Sequence, residues 1–155
     1  MATYLVPDEK SVQDKLQFLY GEDLEVASAT APDADKAICG VYVSSDGTPV
    51  AAALCDIAFG CYAGASLSMI PAGGAKDAAN SGEISQGMMD NLSEVLNMCA
   101  NLLMDDSTPH LKFDKVYGSL AEAPDAAKTL VAGATGPAFK VDIPRYGSGV
   151  LSMMS

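Results

Sequence analysis

The sequence predicts an α+β domain: a mixed, largely antiparallel sheet with flanking helices. Three observations carry this reading. Asp46-Gly47 lies between two strand-like segments, Ala37 to Ser44 and Pro49 to Cys55, and supplies the positive backbone angles that a tight hairpin turn needs. Apolar residues recur at helical spacing from Glu83 to Met104, the longest such stretch in the chain. Further strand-like segments follow it, at Leu111 to Leu120, Ala138 to Ile143 and Gly149 to Met154.

The remaining elements follow in order. Pro7 to Tyr20 reads as a helix. Pro7 suits a first turn, Asp8 and Glu9 favour the helix N-terminus, and Gly21 stops it. Val12, Leu16, Leu19 and Tyr20 form its apolar stripe. Leu24 to Thr30 reads as a short strand. Asp56 to Ile70 is an apolar helix rich in small residues (Ala58, Gly60, Ala63, Gly64, Ala65), which allow close approach of a neighbouring element; Pro71 ends it. Ala72 to Gly82 reads as a mobile loop of small and polar residues. Asp105, Asp106, Ser107 and Pro109 end the long helix, Pro124 to Val131 is a short helix, and Tyr146-Gly147 turns the last two strands against each other. Met153 and Met154, on the terminal strand, are expected at a sheet edge that would extend into a homodimer.

Composition narrows the function classes. The 155 residues suit one domain spanning the chain, and 49% apolar with 19% charged residues fits a packed globule. Twenty acidic against nine basic residues give a net charge of -11. Such a field repels phosphate backbones and anionic lipid, so neither nucleic acid nor a membrane is expected as partner, whereas a protein with a basic docking face suits it. No apolar run approaches the length of a membrane helix, and the N-terminus has no signal-peptide pattern, so a cytoplasmic location is expected. Cys39, Cys55, Cys61 and Cys99 match no metal-binding spacing and read as free buried thiols in a reducing compartment.

With Asp90 set to zero and about 100° per residue, Met88, Leu92, Val95, Leu96, Cys99, Leu102 and Leu103 cluster on one side of the long helix. Asp90, Glu94, Asn97 and Asn101 stand together on the other. This face is either the solvated side of an amphipathic helix or a grouped polar site. Asn disfavours a helix interior by roughly half a kcal/mol relative to Ala, so two of them one turn apart argue for the site.

The stretch Asp90-Asn91-Leu92-Ser93-Glu94-Val95-Leu96-Asn97 has the form D-x-x-x-E-x-x-N. It resembles the signature of the CheC/CheX family of chemotaxis response-regulator phosphatases, and Glu94 to Met98 resembles that family's E-x-x-N-M core. The element order resembles that of the family over roughly residues 8 to 154. The resemblance implies a CheC-like fold and a phosphorylated aspartate on a CheY-like receiver domain as substrate, within chemotaxis or two-component signalling. It implies that Glu94 and Asn97 are catalytic, with Asn97 holding the attacking water in line and Glu94 pairing with the receiver's lysine. Asp90 and Asn101 would help dock the partner. The protein would bring no cofactor of its own, because Mg²⁺ is expected on the phosphorylated partner. A single E-x-x-N favours a one-site, CheX-like arrangement. Asn101 stands where many relatives have Gly, and Ser119 falls near the place of a proline common in the family. The alternative is a non-catalytic CheC-like module that docks a receiver or dimerises.

Other motifs point to less. His110, the only histidine, follows Pro109 and reads as a surface residue. Gly73-Gly74 with Lys76 lacks the spacing of a phosphate-binding loop. No set of residues has the spacing of a metal site.

Overall fold

The computed structural model describes residues 4–155. In chain order it forms α1 (Glu9–Tyr20), β1 (Glu25–Ala29), β2 (Ile38–Ser44), β3 (Pro49–Cys55), α2 (Ile57–Leu67), α3 (Ala72–Ser81), α4 (Gln86–Met98), β4 (Leu111–Tyr117), α5 (Asp125–Gly133), β5 (Ala138–Ile143) and β6 (Gly147–Met154). Short 3₁₀ turns lie at Cys99–Leu103 and Leu120–Glu122. The six strands make one sheet in the order β1-β5-β6-β3-β2-β4. Every pairing is antiparallel, so the expected sheet is found without any parallel pair.

Local chemistry sets the element ends. Asp8 stands just outside α1 and accepts the Ser11 backbone N–H at 2.8 Å, while the Ser11 hydroxyl accepts the Asp8 N–H at 3.0 Å. The Ser11 backbone N–H, then its hydroxyl, hold the Asp8 carboxyl below the usual carboxylate range. Asp56 caps α2 through the Phe59 N–H (2.8 Å) and also accepts the Val150 N–H (3.0 Å), tying the helix start to β6. Gly47, at φ +86°, makes the β2–β3 turn with Asp46, as expected.

Helices cover both faces. On one, Val12 and Leu16 of α1, Phe59 and Ala63 of α2, and Leu92, Val95 and Leu96 of α4 pack on Tyr42, Val141, Leu151 and Met153. On the other, Ala127 and Val131 of α5 cover Cys39, Val41, Ala52 and Leu54. A fully buried Leu such as Leu92 contributes roughly 1.5–3 kcal/mol by burial. Gly149 lets the α2 backbone at Phe59 lie against β6, where no side chain would fit.

Several expectations need correction. Ala72 to Gly82 is a helix and not a loop: Pro71 precedes it, Gly82 closes it at φ +77°, and Ala75 buries itself against Cys61, Ala65 and Met88. The alanines supply helix propensity that the adjacent glycines conceal in the sequence. β6 is no edge strand: it lies between β5 and β3, with Met153 and Met154 buried, so this strand offers no dimer edge. The cysteines are as expected: Cys39 pairs across the ladder with Leu54, and Cys39 and Cys55 face opposite sides of the sheet. All four cysteines are free and buried. Burial pushes the thiols up, to about 11 for Cys39 and Cys61 and about 12 for Cys99. Among the described residues no helix is long and apolar enough to cross a membrane.

The outer edge of β1 is sealed by α1. Gln13 accepts the Val26 N–H at 3.1 Å, Gln17 donates to the Leu24 carbonyl at 3.0 Å, and the Ser28 hydroxyl donates to Glu9. These three side chains are four residues apart and form one stripe along the strand. They block the unpaired backbone groups that would otherwise template another chain. The double substitution Gln13→Ala/Gln17→Ala is expected to cost about 1–2 kcal/mol in urea denaturation. It should also cause concentration-dependent self-association by light scattering; a monodisperse variant at millimolar concentration would refute the sealing role.

Candidate functional site

Helix α4 begins where Ser85 accepts the Met88 N–H at 3.2 Å. Met88, Leu92, Val95 and Leu96 are buried along one side. The helix lies between α2 and the β2–β4 end of the sheet. Gly64 of α2 touches the Met88 backbone, and Gly40 of β2 lies under Leu96.

The α-helix ends earlier than its apolar period suggests. The buried Tyr42 hydroxyl donates to the Leu96 carbonyl at 2.6 Å, and the chain tightens into the 3₁₀ turn from Cys99. This bond draws on a carbonyl that would otherwise serve the following turn alone.

Asp90, Glu94 and Asn97 are all exposed on the free side of α4. Asn101 is exposed as well, but on the 3₁₀ turn and not on the α-helix. The structure thus brings the four predicted residues onto one surface, with Asn101 offset by the tighter winding. Asp90 accepts from Gln86 at 2.8 Å. Among the described residues the ion pairs are Lys10–Asp14 and Lys128–Asp125, and Glu94 has no cationic partner among them. Its carboxylate and the Asn97 amide are free to meet an external group.

One residue of this helix was legible only as a spacer. Asn91 donates to the Gly64 carbonyl at 2.8 Å and to the Ser68 hydroxyl at 2.7 Å. It thereby satisfies a carbonyl near the end of α2 and joins that end to the candidate face. The signal available in the sequence is its angle, about 100° from Asp90 and toward the apolar side, where a polar residue needs a partner.

Other sequence candidates stay apart from this face. His110 is exposed beside Pro109. Gly73, Gly74 and Lys76 sit in α3, on exposed positions. Asp105 accepts the Ser107 N–H at 2.7 Å and its hydroxyl at 2.6 Å, which makes it the turn that ends this segment. Among the described residues no three His, Cys, Asp or Glu side chains gather as a metal site.

No protein-family model matches the chain, and no curated protein does. Two solved structures are similar. The first is a complex of FliM with SpeE from H. pylori, with a TM-score of 0.64, 10% identity, and coverage of 94% of this chain and 80% of that chain. The second is the FliM middle domain from H. pylori, with a TM-score of 0.57, 9% identity, and coverage of 94% and 83%. At such identity the likeness is one of fold. The chain therefore has the α+β fold of the FliM middle domain.

Proposed function

We propose that this chain is a single-site, CheX-like phosphatase acting on the aspartyl phosphate of a CheY-like receiver. The observation that carries the reading is the pair Glu94 and Asn97, one turn apart, exposed, and without an ion-pair partner among the described residues. An acyl phosphate is already reactive and carries its Mg²⁺ on the receiver, so the enzyme need only place water in line with phosphorus. Asn97 suits that task because its amide both donates and accepts, fixing a water's lone pair toward the phosphoryl group. Glu94 would engage the receiver's lysine and set the register of docking, with Asp90 and Asn101 completing the contact surface. No metal of the protein's own enters the chemistry, and the setting is a cytoplasmic signalling pathway.

A second reading is a docking module without hydrolysis. The structure of FliM in complex with SpeE favours it, since there a chain of this fold is held with another protein.

The test compares phosphate lifetimes on a panel of receivers loaded from a small phosphodonor. Wild-type protein is expected to shorten the lifetime on its cognate receiver. Asn97→Ala should lose about 10²-fold of that effect while keeping the circular dichroism of the wild type. Unchanged lifetimes across the panel, with binding retained, would replace the hydrolase by the docking module.

A further inference from the structure

Among the described residues two non-glycine positions have left-handed backbone, Met69 at φ 59° and Arg145 at φ 74°. Both line one open recess of about 340 Å³, formed by the end of α1, the end of α2 and the β5–β6 turn. Each stands where glycine is the ordinary choice. Past α2 the Ile70 N–H reaches the Ala65 carbonyl at 2.9 Å and the Met69 N–H reaches the Ser66 carbonyl at 3.2 Å, a helix-closing pattern that makes Met69 its left-handed residue. In the β5–β6 turn the Tyr146 N–H reaches the Ile143 carbonyl at 3.1 Å, with Pro144 second and Arg145 third, where a type II turn demands a positive φ. Neither turn needs its side chain, and the backbone disfavours both. The result is a methionine at 78% exposure and the only arginine of the chain at a single recess. Backbone strain of this kind collects at binding sites.

The recess is braced and carries both signs of charge. The Tyr20 hydroxyl donates to the Ala63 carbonyl at 2.9 Å and the Tyr146 hydroxyl to the Ile70 carbonyl at 2.5 Å, which ties the end of α1 and the β5–β6 turn to α2 and the segment after it. Gln17 donates to the Glu22 carbonyl at 3.2 Å and holds the loop that follows α1. From that loop Glu22 and Asp23 line the recess together with Arg145. None of the three belongs to an ion pair among the described residues, so opposite charges share the recess without closing on each other. A guanidinium fork suits a carboxylate. Two carboxylates beside tyrosine rings suit an ammonium and disfavour a phosphate. Leu19 and the flexible thioether of Met69 offer an adaptable apolar contact.

We infer that this recess binds a small zwitterion of amino-acid or dipeptide size, its carboxylate on Arg145 and its ammonium on Glu22 and Asp23. No residue of α4 lines it, so the site is separate from the candidate face and stands or falls independently of the phosphatase reading.

The test titrates the full chain with L-leucine and with L-leucyl-L-leucine, read by amide chemical shifts of Met69, Arg145 and Tyr146. At least one probe is expected to saturate with a Kd of about 1 mM or tighter. Saturation by leucine points to a free amino acid, and saturation by the dipeptide alone points to a peptide. The N-acetylated and the C-amidated forms of the probe that binds should each bind about tenfold more weakly or worse. Arg145→Gly removes the guanidinium and suits the turn, so it should melt no lower than wild type and bind about tenfold more weakly. Where Arg145→Gly does melt lower, Arg145→Gln, which keeps a side chain in place, decides in its stead. The site is overturned by an absence of saturable shifts with both probes, by equal affinity for a blocked form, or by wild-type affinity in the deciding variant.

Discussion

Replacing Gly64 with alanine is expected to cost about 2–3 kcal/mol and to lower the melting temperature by roughly 4–12 °C. A Cβ at this position would lie 2.9 Å from the Met88 carbonyl carbon and 3.0 Å from its Cα, and closer still to its oxygen. These are backbone atoms of α4, so relief requires the two helices to separate. Alanine improves helix propensity by roughly 1 kcal/mol over glycine, and the clash outweighs that gain. Separation would also lengthen the Asn91 contact to the Gly64 carbonyl. Gly60→Ala is the internal control. Its Cβ would meet the ends of flexible side chains, Ile38 Cδ1 at 2.6 Å and Ile84 Cδ1 at 3.3 Å, so the penalty should be smaller. Urea denaturation of both variants decides the matter: equal stability of Gly64→Ala and wild type would mean that α2 and α4 are not in backbone contact.

Reversing the charge of Glu94 should have the largest effect on docking. A charge-assisted hydrogen bond from a partner lysine is worth about 1.5–3 kcal/mol. Loss of that bond corresponds to about a ten- to hundredfold rise in KM for the phosphorylated receiver. Glu94→Lys should move KM at least that far, because it adds like-charge repulsion, whereas Asn97→Ala should act mainly on kcat. Glu94 is exposed and has no ion-pair partner among the described residues, so its replacement should leave the melting temperature within about 1–2 °C of wild type. A variant with unchanged KM and unchanged salt dependence would remove Glu94 from the docking contact.

The elements most legible from sequence are those whose signal is local. The Asp46-Gly47 hairpin and the apolar stripe of α4 depend on residues a few positions apart, and both appear as expected. So does the exposure of Asp90, Glu94, Asn97 and Asn101, since burying one helical side at 100° per residue leaves the other free. The elements misread are those set by distant neighbours. The Ala72–Ser81 helix is held by Ala75 against residues of α2 and α4, and glycines in its own sequence argue against it. The early end of α4 coincides with a hydrogen bond from Tyr42, more than fifty residues away in the chain.

The chain's own order of residues thus determined an exposed polar quartet along α4 and the turn that follows it, an acidic overall charge, and an α+β architecture. It did so because periodicity and turn chemistry act within a few residues. Only the tertiary structure decided that the last strand lies inside the sheet, that Asn91 joins α4 to the end of α2, and that Met69 stands exposed just past that end. Those facts depend on which backbones come within hydrogen-bonding distance once the helices settle on the sheet, and no local pattern encodes that distance.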